Sequence, residues 1–168
     1  TLVDLIVISI FGGVDTTRAQ LAFAMALFIQ HPGQWQLLRE QPGLIPQAIE
    51  EVIRTHPTTT WATREARQDF TFGGVDLKTG DILHVLVHAS GTDPAIDVDG
   101  GFDIAIPHKT HFGFGGGAHH CLGQFVARTD MAAALRVLVR SWESFGYADT
   151  PEWLPDSGNT SPVRMTLN

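Results

Sequence analysis

The sequence predicts an α-rich α+β fold, and three observations carry that expectation. Residues 2–30 and 121–142 keep helical periodicity, residues 60–87 switch to short alternating runs broken by turn residues, and residues 90–117 follow neither pattern. With 168 residues and 43% apolar content, a chain of this size buries roughly 70% of its unfolded surface, so a single domain over 1–168 is expected.

Residues 2–30 read as one long, largely apolar helix, stopped at His31-Pro32 because the residue before proline is pushed out of the helical region. A helix apolar nearly all round belongs in the centre of a fold. No Met opens the chain and no capping residue is expected ahead of the run, which reads as the edge of a longer protein. Asp4 and the Gly12-Gly13 pair interrupt the apolar opening before it reaches the roughly 20 residues that a spanning helix requires. Neither a membrane span nor a signal peptide is therefore expected.

A short helix over 34–40 follows, then one opened by Pro46 at a first-turn position and ended at Thr55 by His56-Pro57. Gly73-Gly74 and Gly80-Asp81 supply turns within a small β-sheet, whose best strand is 82–87. The Gly-, Pro-, Asp- and His-rich segment 90–117 is a long loop of the kind that is uncommon unless functional. Helical periodicity returns from Cys121 to Trp142, and the turn at 157–160 is flanked by short strands.

A net charge of −7 with scattered Lys and Arg argues against a nucleic-acid partner, which needs clustered cations to neutralise phosphates. Cys121 is the sole cysteine, so no internal disulfide forms and a cytoplasmic setting is the natural expectation.

The chemistry concentrates in Phe114-Gly115-Gly116-Gly117-Ala118-His119-His120-Cys121-Leu122-Gly123, a glycine-rich loop that delivers a cysteine to the start of a helix. Helix amino-termini stabilise anions, which favours a thiolate, and glycines let backbone approach a flat ligand closely. A lone cysteine is by itself more often a buried structural residue. Phe114, Gly115, Gly117, His119, Cys121 and Gly123, however, match the haem-binding signature of the cytochrome P450 family, and the chain resembles the carboxy-terminal part of that fold in its soluble bacterial branch.

The resemblance implies haem b (iron protoporphyrin IX) held by Cys121 as axial thiolate, which pushes electron density onto iron, with His119 hydrogen-bonding a propionate. In Gly12-Gly13-Val14-Asp15-Thr16 it implies an oxygen-activation motif, where the glycines open the helix beside iron and Asp15 and Thr16 relay protons. Read alone, Asp15 or Thr16 equally suits the cap of a restarted helix. Glu51 and Arg54 at i and i+3 would ordinarily be a surface ion pair, but the resemblance implies a buried pair supporting the cysteine side. Arg64 resembles the arginine that pairs with a propionate, a task suited to its rigid fork, whereas read alone it is a solvated strand-edge charge.

One departure is plain. Ile106 stands where that branch usually has an arginine, so Glu51 and Arg54 either find another partner, with His108 and Lys109 as candidates, or are held less rigidly.

The implied activity is haem-thiolate monooxygenation, inserting one atom of dioxygen into a small hydrophobic organic substrate. The implied electron donor is a ferredoxin or flavin-type protein drawing on NAD(P)H and docking on the Cys121 side, where Lys109, Arg128 and Arg136 are candidate contacts, although each read alone is a solvated charge. Residues 58–63 and the turn around Asn159 would meet substrate. Two alternatives stand beside this: a peroxide-driven peroxygenase, and a non-catalytic truncated fragment.

Overall fold

In the computed structural model, which describes residues 1–95, 101–107, 110–155 and 157–168, the apolar opening forms one uninterrupted helix, α1 (Leu2–Gln30). Contrary to the sequence expectation, it is capped. The Thr1 hydroxyl accepts the Asp4 amide at 3.3 Å and the Asp4 carboxylate takes the Thr1 ammonium at 2.7 Å, a reciprocal box in which Asp does the work usually given to Glu.

The two halves of α1 differ in exposure. Burial begins at Ala19, while the large apolar side chains from Leu2 to Val14 stand 50% to 73% exposed. Nor do Gly12 and Gly13 open the helix. It stays α-helical through both, and Thr16 Oγ1 donates to Gly12 O at 2.5 Å in the ordinary back-bonding geometry of a helical threonine.

Helices α2 (Pro32–Glu40) and α3 (Ile45–Thr55) each begin with proline in the first turn, where its missing N–H costs nothing. Together with α5 (Gln124–Ser141) they close around the second half of α1. Phe28, Leu38, Ile45, Ile49, Val52, Ile104, Met131 and Leu135 fill the centre. Gln20, the buried polar residue on α1, ties that helix to the segment beyond α3. Its Nε2 donates to His56 O at 2.8 Å, and its Oε1 accepts the Thr58 amide at 3.0 Å and the Thr58 hydroxyl at 3.1 Å.

Among the described residues the small-sheet part consists of three antiparallel ribbons. β1 (Trp61–Glu65) pairs with β4 (Ile82–Leu86), β2 (Phe70–Phe72) with β3 (Val75–Leu77), and β5 (Glu152–Trp153) with β6 (Pro162–Arg164). The β2–β3 turn places Gly73 and Gly74 at φ 57° and 81°, a left-handed pair that suits a two-residue hairpin.

The strand expected to run to Val87 ends at Leu86. The chain turns there into α4 (Val87–Thr92), a short helix inside what sequence alone reads as loop. Its position is dictated by packing, since a Cβ on Gly91 would lie 2.4 Å from Arg54 O.

Arg54 and Glu51 are buried, both about 1% exposed. Arg54 Nε and Nη2 each reach a Glu51 carboxylate oxygen at 2.7 Å. Nη1 donates to Gly91 O at 2.5 Å and Nη2 to Gly101 O at 2.9 Å, while Glu51 Oε1 also accepts the Asp103 amide at 3.1 Å. Backbone carbonyls thus supply acceptors to the pair in a chain that has Ile106; His108 and Lys109 lie outside the described residues. Two losses are expected in urea unfolding. Glu51→Ala, which strands a buried guanidinium, costs about 3–5 kcal/mol, and Gly91→Ala costs about 1–3 kcal/mol through overpacking; wild-type midpoints in either would contradict this account.

Candidate functional site

The loop ahead of α5 is shaped by its own backbone. Phe112 O accepts the Gly115 amide at 2.7 Å, Gly117 O accepts the His120 amide at 3.1 Å, and Phe114 O accepts the Cys121 amide at 2.9 Å. Gly115 and Gly117 sit at φ 71° and 61°, where a side chain would be strained. Cys121 is not the first helical residue, as periodicity suggests. α5 begins at Gln124 with Gly123 in the cap position, so the thiol lies just ahead of the helix and is exposed. Exposed apolar side chains accompany it, with Phe112 at 52%, Phe125 at 73% and Leu122 at 98%.

Phe114, Gly115, His119, Cys121 and Gly123 therefore share one loop. His119 closes a 3₁₀ turn over Gly117–His119 with its side chain exposed. Arg64 lies elsewhere, exposed on β1 opposite Leu83, and its Nη1 donates to Thr63 O at 2.9 Å. On α1, Asp15 pairs with Arg18 at 3.0 Å with both side chains more than half exposed, so this ion pair holds Asp15 only weakly. Gly12 lies one turn before Thr16.

The structure does join the two segments expected to meet substrate. Thr59 bridges to Asn159, with Oγ1 donating to Asn159 Oδ1 at 2.8 Å, while Thr60 N donates to Gly158 O and Thr160 N to Thr58 O, both at 2.8 Å. Gly158, at φ 85°, leaves room for the Trp61 ring, whose Nε1 would lie 3.1 Å from an added Cβ.

Sequence reasoning missed the charged cluster behind the loop. Glu50 of α3 accepts Arg128 Nε at 2.5 Å and Nη2 at 2.9 Å, and lies 3.2 Å from His111 Nε2. Burial works against ionising Glu50, yet the Arg128 guanidinium and the His111 hydrogen bond prevail and hold its pKa at about 2. Arg128, which read alone is a solvated charge, has its Nε and Nη2 on Glu50. Lys109 is outside the described residues, and Arg136 is exposed.

Among the described residues no three His, Cys, Asp or Glu side chains group as a metal site. The exposed Cys121 thiol, with exposed Phe112, Leu122 and Phe125 close to it in sequence, suits a large flat ligand that carries an ion. These residues fit haem.

No family model matches the chain. Over 159 residues it is 38% identical to luteothin monooxygenase of Streptomyces thioluteus, an alignment covering 93% of this chain and 39% of that protein. It is 35% identical over 146 residues to a biotin-biosynthesis cytochrome P450 of Bacillus subtilis, covering 84% and 36%. The solved structure of CxnD, a cytochrome P450 enzyme for C–S bond formation in chuangxinmycin biosynthesis, superimposes with a TM-score of 0.90 at 31% identity, covering 96% of this chain and 41% of that one. The chain belongs to the cytochrome P450 family.

It has the carboxy-terminal part of the P450 fold, and it spans about two fifths of the length of the curated P450 relatives it matches. P450 homology implies haem as cofactor. Among the described residues no helix is long and apolar enough to cross a membrane.

The depressed pKa of Glu50 has a signed consequence. A carboxylate whose folded pKa lies below its ordinary 4.5 contributes stability that is fully present above about 4.5 and is lost as pH falls towards about 2. Denaturant midpoints should therefore fall more steeply across that window in wild type than in Glu50→Gln, and parallel acid limbs would contradict the assignment.

Proposed function

We propose that this chain provides the cysteine-ligating part of a haem-thiolate monooxygenase that inserts one atom of dioxygen into a small hydrophobic organic substrate. The observation that carries the reading is an exposed thiol at the end of a backbone-braced glycine loop, with exposed phenylalanine and leucine neighbouring it in the sequence. Bound haem supplies dioxygen activation at iron, with electron density donated by the thiolate.

The chain's own residues provide placement. Cys121 holds the iron, while Phe114, Gly115 and Gly123 shape the loop and the glycines admit a flat group. His119 and Arg64, both exposed, bond the propionates, and Arg64 suits that role through its planar fork. Gly12 gives α1 a face without a side chain.

Thr16 holds a proton at Oγ1, now directed to Gly12 O, and releasing it elsewhere requires the hydroxyl to leave that carbonyl. Asp15, in an exposed pair with Arg18, is able to exchange that partner at low cost and pass a proton through its carboxylate. Substrate lies against the seam where Thr59 meets Asn159. Electrons come from a ferredoxin or flavin-type donor that draws on NAD(P)H.

The decisive measurement is spectroscopic. The purified chain titrated with haem, reduced and exposed to carbon monoxide should give a strongly red-shifted Soret band that is absent in Cys121→Ala. A folded wild-type chain whose band is indifferent to Cys121 would overturn the assignment.

A further inference from the structure

We propose that Glu50, Arg128 and His111 form a positioning cluster that sets the conformation of the Cys121 loop before any cofactor binds. The proposal rests on the monooxygenase reading only for what Cys121 goes on to hold.

A loop with glycines at 115, 116 and 117, two of them at positive φ, has little intrinsic preference for one backbone path. It must be held from outside, and Glu50 is where the tethers converge. Its side chain is 14% exposed, and both its oxygens are occupied: Oε1 by Arg128 Nε, Oε2 by Arg128 Nη2 and His111 Nε2.

The first tether is His111. Its Nδ1 accepts the Gly113 amide at 3.1 Å, so the ring proton sits on Nε2 and points at Glu50. Both nitrogens are thus committed, and the imidazole fixes the entry to the loop. Gly113 is pressed onto α3 at that point, where an added Cβ would lie 2.3 Å from Ile53 Cγ2.

The other tethers run through Arg128. Its guanidinium carbon lies 4.4 Å from the centre of the Phe114 ring, and Phe114 O accepts the Cys121 amide at 2.9 Å. Its Nη1 donates to Gln124 Oε1 at 2.7 Å, and Gln124 Nε2 lies 2.9 Å from His120 Nδ1. Two arms from one guanidinium therefore end on Cys121's hydrogen-bond acceptor and on its preceding residue. Lysine would keep the charge and lose the planar fork on which both arms depend. Arg128, Glu50 and His111 are positioning residues, acting on sulfur through the backbone.

Amide hydrogen exchange in the haem-free chain tests this without relying on ligation. Arg128→Lys and Arg128→Met should each speed exchange at the Gly113 and Cys121 amides by about tenfold or more, a factor equivalent to about 1.4 kcal/mol, while the core amides of Leu27 and Leu38 keep wild-type rates. Equal acceleration in loop and core would overturn the proposal, as would wild-type protection at Cys121 in Arg128→Lys, since charge alone would then suffice. Where an Arg128 variant does not fold, Glu50→Gln, which keeps the side-chain shape, is judged by the same loop-to-core comparison. Absence of the Cys121-dependent Soret band in wild type would sink the monooxygenase reading and leave the exchange result to decide the cluster. Unselective exchange with that band intact would sink the cluster alone.

Discussion

A guanidinium buried in the core imposes more on this chain than any single apolar contact does. Arg54 presents five N–H donors and has no neutral form to retreat to. Its donors reach Glu51 on its own helix, Gly91 O in α4 and Gly101 O in the segment before Phe102. Those acceptors place the short helix α4 and the irregular segment before Phe102. Once Glu51 also takes the Asp103 amide, Phe102 and Ile104 drop into the core. Gln34 then binds the Ile104 amide, and Gln47 takes its carbonyl and that of Ile106. A hydrophobic core alone would fill the space without dictating which loop enters it. The charge pair adds that specificity, because a misplaced loop leaves a buried cation short of acceptors.

The same helix, α3, carries Glu50 and Glu51, two carboxylates adjacent in sequence and facing different tasks. Glu51 turns inward to Arg54 and organises the core. Glu50 turns towards α5 and the cysteine loop. A rigid helix anchored by the first pair is thereby the reference against which the second sets the thiol. The loop's glycines and backbone bonds give it its turns, and the proposed cluster adds α3 as the frame that orients them. The seam of Thr59 and Asn159 is placed in a comparable way, since Gln20 fixes Thr58 to α1 and carries the seam with it.

Much of this was legible from residues alone. The boundaries of α1 at 2–30, the proline-opened α3, the hairpin at Gly73-Gly74 and the loop ending in Cys121 all follow from local signals whose physics is local, whereas α2 starts at Pro32, two residues before the expected 34. The misreadings arose where a tertiary contact decides. α4 exists because Gly91 packs against Arg54 O, which no periodicity in 87–92 announces. Gly12 and Gly13 suggested an opened helix, yet the backbone bonds of α1 persist through them. The Glu50, Arg128 and His111 cluster was invisible because its members are 61 and 78 residues apart from Glu50, and each looks singly like a solvated polar group. Gln20 offered only a faint clue, a glutamine inside an otherwise apolar stretch.

The bridge between Thr59 and Asn159 spans a sequence separation of 100 residues. Closing a loop of that length carries an entropic cost of about 4 kcal/mol on the (3/2)RT ln n scaling. Helices α1, α2 and α3, joined to one another by short connections, meet no such obstacle. The seam is therefore expected to zip late as the chain folds and to part early when it breathes, so the wall proposed to face substrate is also the wall that opens with the least disturbance to the rest.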